Sequence, residues 1–557
     1  MKKCLAFILT AAMAASLAAC GGGSSSSASA GSDAKETTAA GETAAAGETA
    51  AAEAAPAGEK ILKFGESDPK VGYDPQTNTN SGATTVEECV VEGLYRWDDN
   101  NELQCCLAED LPAISDDGLV YSFKLREGVK FHDGSDLTTE DVKYTFERMF
   151  KPETGAKSTY MYSMIKGADA MLNGEATELE GFEIVDDYNF NITLNAPFSC
   201  FTQNLGILYA YIAPSEACEA AGADWGITTL IGTGPYTFTS SDAEKAVVSK
   251  FDGYWDENCQ PKFDQIWIKF YSDDNTKLMA FENGDIDICQ VKANMYAQYQ
   301  GSEVAEKFHE YVPLGTVFLS INLSEQFRGE ANPLSDVKVR EAISLAINRE
   351  SLVNDFLNGL GTPATGTINP GQLGYKANDP YEYNPEKAAQ LLAESAYPGG
   401  FTFTATVRSQ DEPEMIPIQS DLAKIGITMN IEVVDAAIWS ERRSAGDTQC
   451  QWMGWFPLYA DADNNIYSYF HSSNAPGKSV FYNNPEFDAL MDEARSITDN
   501  DKRQALYEQA DEIMSHQDYA CIPLYFPKYV FAAQDYVTNF NVGNLIYQLP
   551  YDADFTN

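Results

Sequence analysis

The chain has 557 residues, more than a single hydrophobic core takes in, so two or three lobes are expected. Hydrophobic residues make up 44% of it and aromatics 12%, ample for burial. With 37 basic against 83 acidic residues the formal charge is −46, which excludes nucleic acid and an anionic surface as partners and leaves an acidic exterior that keeps the protein soluble and favours cationic solutes.

In chain order, Lys2 and Lys3 form a basic start and residues 5–19 an apolar run too short to span a bilayer. Leu17-Ala18-Ala19-Cys20 follows, a small-residue cleavage site ending in cysteine. This resembles a bacterial lipoprotein signal, so residues 1–19 are expected to be removed and Cys20 to carry the lipid. Two acyl chains on one thioether anchor stably where one would be marginal. Residues 21–58 are Gly, Ser, Ala, Thr and Glu, and bury nothing; with Cys20 they read as a disordered tether, roughly 35 Å end to end for a flexible coil of that length. Beyond Cys4 and Cys20, nine cysteines remain at irregular spacing with no CxxC, so most read as small buried hydrophobes, with one or two disulfides left open.

Residues 60–65 alternate as a strand. At 120–126, Tyr121, Phe123 and Leu125 alternate with Ser122, Lys124 and Arg126, and Val129 and Phe131 resume the pattern beyond Gly128, predicting two strands before a turn at Asp133-Gly134. Thr138, with Asp141 three residues on, opens a helix carrying Val142, Thr145, Phe146 and Met149 at helical spacing. Residues 107–149 as a whole closely resemble the stereotyped stretch of the family 5 extracellular solute-binding proteins, the peptide- and nickel-binding components of ABC importers. The resemblance implies a mixed α/β (α+β) fold: a three-lobed, periplasmic-binding-protein-like clamp of the class II, or cluster C, type with a hinge of two crossovers. It implies lobe I from residues 59–85, 228–314 and 524–557, lobe II from 86–227 and lobe III from 315–523, the chain crossing near 315 and 523.

Further along, Gly232-Thr233-Gly234-Pro235-Tyr236 lacks the third glycine and the strand-to-helix setting of a dinucleotide fingerprint, and no Walker sequence occurs. It resembles the family's loop back to lobe I, and residues 280–288 its helix-to-strand run. Residues 336–349 make an amphipathic helix with Val339, Ala342, Ile343, Ala346 and Ile347 on one stripe, similar to the family's arginine-bearing helix. Helices open at Asn384-Pro385, near Asn484-Pro485 and near Asp499, and 401–407 reads as a strand.

Catalysis has no support: His132, His309, His471 and His516 are scattered, and neither HExxH nor GxSxG occurs. No metal or cofactor is expected. Asp461-Ala462-Asp463-Asn464-Asn465 begins like a calcium loop but has Ile466 and Ser472 where glycine and glutamate are needed. The aromatic run 451–463, with Trp439, resembles the family stretch that pairs with a bound peptide as an added strand. By that resemblance Gly454, Trp455 and, by a looser match, Trp439 line the ligand, and Trp452 and Leu458 make the expected site more apolar than a free-peptide pocket. Peptide-binding relatives carry an aspartate four residues past the glycine to hold an α-ammonium; this chain has Leu458. Either Asp461 takes over, or the solute has no free amine. The expected protein is a monomeric receptor, lipid-anchored on the outer face of the membrane, that delivers an oligopeptide to an ABC permease with its ATPase. A non-peptide solute such as a metal chelate, saccharide or opine is the alternative, as is a surface sensor or adhesin.

Overall fold

A computed structural model describes residues 58–542 and 552–556, apart from 70, 71, 79 and 99. The signal, Cys20 and the tether through residue 57 lie outside the described residues. Strands and helices are interleaved in a mixed α/β architecture, and no helix among the described residues is long and apolar enough to cross a membrane.

Three larger sheets organise the described chain. A seven-stranded sheet runs in the order Phe308–Tyr311, Tyr529–Ala533, Ile288–Val291, Ile61–Glu66, Gln265–Phe270, Lys245–Lys250, Tyr236–Ser241. A six-stranded sheet has the order Gly361–Pro363, Cys521–Pro527, Thr316–Ile321, Cys450–Trp455, Phe401–Val407, Ile427–Val433. The third, of four strands, is Ala113–Ile114, Val120–Lys124, Asn189–Thr193, Phe182–Ile184. The chain passes between the first two sheets twice, at residues 312–315 and at Lys528, and residues 523–526 lie within the strand Cys521–Pro527. That strand and Thr316–Ile321 are buried along their whole length, which explains their largely apolar composition.

Local expectations meet their physical reasons here. Tyr121 and Phe123 point into the core while Ser122 and Lys124 are exposed, as alternation requires. The helix Thr139–Phe150 begins where Asp141 accepts the Thr138 backbone N–H at 3.0 Å. The second strand expected at 129–131 does not form: Gly128 and Gly134, at φ of 81° and 90°, turn the chain on both sides, and one bridge, Lys130 to Asp136, is left. Val129 and Phe131 are nonetheless buried. All nine cysteines from Cys89 to Cys521 are free thiols. A Cβ on Gly232 would lie 2.1 Å from the Val90 carbonyl oxygen, and one on Gly234 2.7 Å from that of Cys89, so this glycine pair serves close packing on the end of the helix Ser81–Val90.

Three buried carboxylates, Glu87 and Glu88 on that helix and Glu92 beyond it, lie at the seam with the four-stranded unit. Glu92 accepts from Thr233 Oγ1 at 2.8 Å, Tyr254 Oη at 2.7 Å and Trp255 Nε1 at 2.8 Å. Glu88 accepts from Tyr211 Oη at 3.2 Å, and its other oxygen has no partner among the described residues. Burial, with the like charge of Glu92 behind it, holds the Glu88 carboxyl up to about 8. Between the ordinary carboxylate range and that value the folded protein keeps a proton that the unfolded chain has lost, so stability falls as pH rises through this window. Glu88→Gln is expected to flatten that fall, stabilising the protein at pH 8 far more than at pH 5, measured by urea unfolding at both.

Candidate functional site

The strand Cys450–Trp455 pairs along its whole length with Thr316–Ile321, from Thr316 opposite Trp455 to Ile321 opposite Cys450. On its other side, pairing with Phe401–Val407 is confined to Ala405 and Cys450. Residues 451–455 therefore present an edge with no strand partner among the described residues, and unpaired N–H and C=O groups along such an edge can accept an added strand. The edge ends beside the crossing. Phe456 packs 5.7 Å from the Tyr529 ring, and a Cβ on Gly315 would strike Phe456 at 2.4 Å.

Side chains alternate about this strand. Trp452 lies on the same face as Gly454, where its Nε1 donates to Glu414 Oε2 at 2.8 Å. Tyr525 Oη donates to the same oxygen at 2.6 Å. Burial pushes the Glu414 carboxyl up, partly offset by these two donors. Glu414 was not among the expected site residues; its position in Glu412–Ala423 carries no local mark, and only tertiary packing brings it to the edge strand. Trp455 lies on the other face, edge-on to Tyr469 at 5.3 Å, with its Nε1 buried and without an acceptor among the described residues. Trp439 is 7% exposed and packs in the core with Met453 and Tyr469, beneath the guanidinium of Arg408 at 4.9 Å. The four residues Trp439, Trp452, Gly454 and Trp455 thus gather at one strand, Trp439 from below.

Leu458 and Asp461 go elsewhere. Leu458 is half-buried against the apolar core of the four-stranded unit, and the neighbouring Tyr459 is a buried member of that core. Asp461 has no exposure and meets Arg503 Nη2 at 2.7 Å. Arg503 also bonds Tyr507 Oη at 2.9 Å, Cys200 Sγ at 3.0 Å and the Ala494 carbonyl at 3.1 Å. The charge of Asp461 is therefore met inside the fold rather than offered to a ligand. Asp463 is matched likewise by Arg495 at 3.0 Å and accepts from Tyr459 Oη at 3.0 Å, although burial pushes its carboxyl up.

Between these residues and the four-stranded unit lies a cavity of about 680 Å³, lined by Met161, Phe198, Asp463, Tyr467, Lys478 and Arg495 among others. Its size falls in the range of small-molecule sites, roughly 300–1,000 Å³. Arg495 roofs it, stacked 4.5 Å from Phe198 and 3.7 Å from Tyr467. Among the described residues no three His, Cys, Asp or Glu side chains gather to hold a metal. Breaking the buried pair alone should be costly: Arg503→Met is expected to destabilise by about 3–5 kcal/mol, and adding Asp461→Leu to recover most of that, in denaturant unfolding of the single and double variants.

Comparisons agree with this architecture. Residues 102–477 match the family described as bacterial extracellular solute-binding proteins, family 5 Middle. The glutathione-binding protein GsiB of Salmonella typhi is 30% identical over 485 residues, 84% of this chain and 89% of its own. Among solved structures, DppA of Helicobacter pylori in complex with peptide STSA superposes with a TM-score of 0.75 at 26% identity, over 89% of this chain and 98% of that one. AgaA of A. tumefaciens R10 in complex with agropinic acid gives 0.72 at 27% identity, over 89% and 99%. Proteins of this kind bind peptide or related solutes outside the membrane and work with the permease components of ABC importers. The chain belongs to the bacterial extracellular solute-binding proteins of family 5.

Proposed function

We propose that this protein is the substrate-binding lipoprotein of an ABC importer, that it captures a short peptide along the open edge of residues 451–455, and that it is not an enzyme. The observation that carries this reading is the edge itself: a strand held firmly on one side by Thr316–Ile321 and unpaired on the other beyond Cys450. Main-chain pairing there gives affinity without reading side chains, as a carrier of varied peptides needs. Gly454 leaves room for a backbone to approach, and Trp452 and Trp455 flank it on opposite faces. Peptide-type relatives, among them the H. pylori protein solved with peptide STSA, support the same solute class.

In this reading the chain forms three lobes, and the crossings at 312–315 and Lys528 are the hinge on which they close over the solute. Signal removal after Ala19, acylation of Cys20 and the tether place a monomer on the outer face of the membrane beside its permease. With Leu458 apolar and Asp461 tied to Arg503, Glu414, bonded to Trp452 of the edge strand, is the carboxylate we assign to a peptide amine. A second reading, a non-peptide organic acid, is favoured by the apolar Leu458 and by the relative solved with agropinic acid.

Native mass spectrometry of freshly purified protein tests the solute. A ladder of peptide masses is expected, and a single non-peptide mass would overturn the peptide reading. Trp455→Ala should weaken binding of a retained peptide about tenfold or more with the unfolding midpoint little changed; a midpoint lowered at unchanged affinity would assign Trp455 to structure alone. For the anchor, Cys20→Ser is expected to abolish incorporation of labelled palmitate and release the protein from membranes into the medium.

A further inference from the structure

His471 stands behind the cavity wall, between two acids and the turn that lines the cavity. It follows the short helix Ser468–Phe470, and its side chain is 10% exposed. The ring stacks on Tyr467 with 4.4 Å between centroids, and Tyr467 carries the Arg495 guanidinium 3.7 Å from its own ring. On the Nδ1 edge, Ser473 Oγ lies 2.7 Å away and the Ser473 backbone N–H donates to Nδ1 at 3.3 Å. The Nε2 edge faces Asp492 Oδ1 at 3.4 Å and Asp488 Oδ1 at 3.7 Å, acids one turn apart on the helix Pro485–Ser496, and Nε2 has no hydrogen-bond partner among the described residues. The His471 carbonyl accepts the N–H groups of Asn474 and Ala475 at 2.8 and 2.9 Å, which ties the ring to the turn. Ser473 and Asn474 line the cavity, as do Tyr467 and Arg495.

The other charged groups on the elements packed here are met elsewhere. Arg495 is paired with Asp463 at 3.0 Å, and Lys478, at the end of the turn, lies 6.0 Å from the Trp455 ring. Glu486 and Glu493 belong to the same helix as Asp488 and Asp492 but fall on its far side by helical spacing. The charge facing the ring is therefore that of two carboxylates. They place the proton of the neutral ring on Nε2, so that Nδ1 accepts from the Ser473 hydroxyl and N–H. A second proton, on Nδ1, reverses that edge. Nδ1–H then donates to Ser473 Oγ, the hydroxyl's own hydrogen turns away from the ring, and the Ser473 N–H loses its acceptor; on the other edge Asp488 and Asp492 hold the imidazolium. Imidazole is the side chain that changes charge between pH 5 and 8.

We propose that His471 is a positioning residue that makes solute affinity depend on pH: its protonation frees the hydroxyl and N–H of Ser473 as donors beside the cavity, so the solute is held more tightly in acid than in alkali. This rests on the solute-binding reading above and adds regulation of that same site. Because the coupling is reciprocal, solute binding takes up a proton and raises the midpoint of the ring.

The test uses the purified full-length protein labelled with 15N-histidine, and a tryptic digest of casein as probe. Ring nitrogen shifts are expected to show the Nε2–H tautomer of His471 at high pH and the imidazolium at low pH. Asp492→Asn should lower the midpoint by about half a unit or more; that side chain is 62% exposed, so its replacement costs the fold little. Peptides retained on the protein, counted by mass spectrometry after rapid filtration, should be at least about fivefold more abundant at pH 5.5 than at pH 8. His471→Gln, which keeps a donor and an acceptor but does not titrate, should retain equal amounts at both. Wild-type retention that ignores pH, a pH dependence that survives His471→Gln, or an Nδ1–H tautomer at high pH overturns the proposal. Should His471→Gln not fold, Asp492→Asn decides: its retention profile should move to lower pH together with the ring, and a profile left in place overturns the proposal. If no peptide is retained at either pH, the peptide reading falls and the ring alone decides this one: the Nε2–H tautomer with a midpoint lowered in Asp492→Asn supports it, and an unmoved midpoint overturns it.

Discussion

The seam between the six-stranded sheet and the four-stranded unit depends on two buried ion pairs, Asp461 with Arg503 and Asp463 with Arg495. Both acids follow directly on the edge strand, and both arginines come from the helical segment that covers it. Arg503 reaches across to Cys200, and the Ser199 N–H donates to the Arg495 carbonyl at 2.8 Å, so the same groups that neutralise the acids also tie the two units together. Buried pairs of this kind add little net stability over an apolar filling but are costly to break singly, which makes them better devices for fixing a geometry than for deepening a fold. Here the fixed geometry is that of residues 451–463, the stretch on which solute binding is proposed to turn.

That arrangement sorts the charges of the cleft. The one aspartate that sequence places near the solute, Asp461, is consumed by structure, while Glu414 reaches the edge strand from a neighbouring helix, oriented by Trp452 and Tyr525. Lys478 and Arg443 stand on the opposite face, against the Trp455 ring and the Trp439 and Tyr469 rings. The cleft thereby acquires a carboxylate on one side of the strand and cations on the other, although the chain as a whole is strongly acidic. Long-range charge governs solubility and encounter, whereas charges inside a binding site govern what is retained there.

Much of the architecture was legible because it rests on local signals. Alternation at Tyr121 and Phe123, the Thr138–Asp141 cap, and the Asn384 and Asn484 caps followed by proline each name an element through nearest-neighbour chemistry. The 129–131 segment defeated the same logic, since Val129 and Phe131 alternate for burial in a turn-bounded loop rather than in a ladder. At the site, Gly454 and the tryptophans could be singled out by resemblance, but Asp461 could not be told from a ligand-facing acid without seeing Arg503, forty-two residues away in sequence. Glu414, Arg443 and Lys478 carry no pattern at all. Their meeting at one strand is a product of tertiary packing, which periodicity does not encode.

Tyr459 gives the clamp an energetic character. It belongs by sequence to the run that leaves the edge strand, yet its ring is buried in the core of the four-stranded unit, with Leu458 half-buried beside it. If the lobes part at this seam, both side chains come out into water, at a cost of about 1.5–3 kcal/mol for each large side chain fully exposed. On the proposed clamp reading, the two residues act as a latch that favours closure before any solute arrives. A solute need supply only the remainder, and its release demands that something, at the permease, pull the latch open.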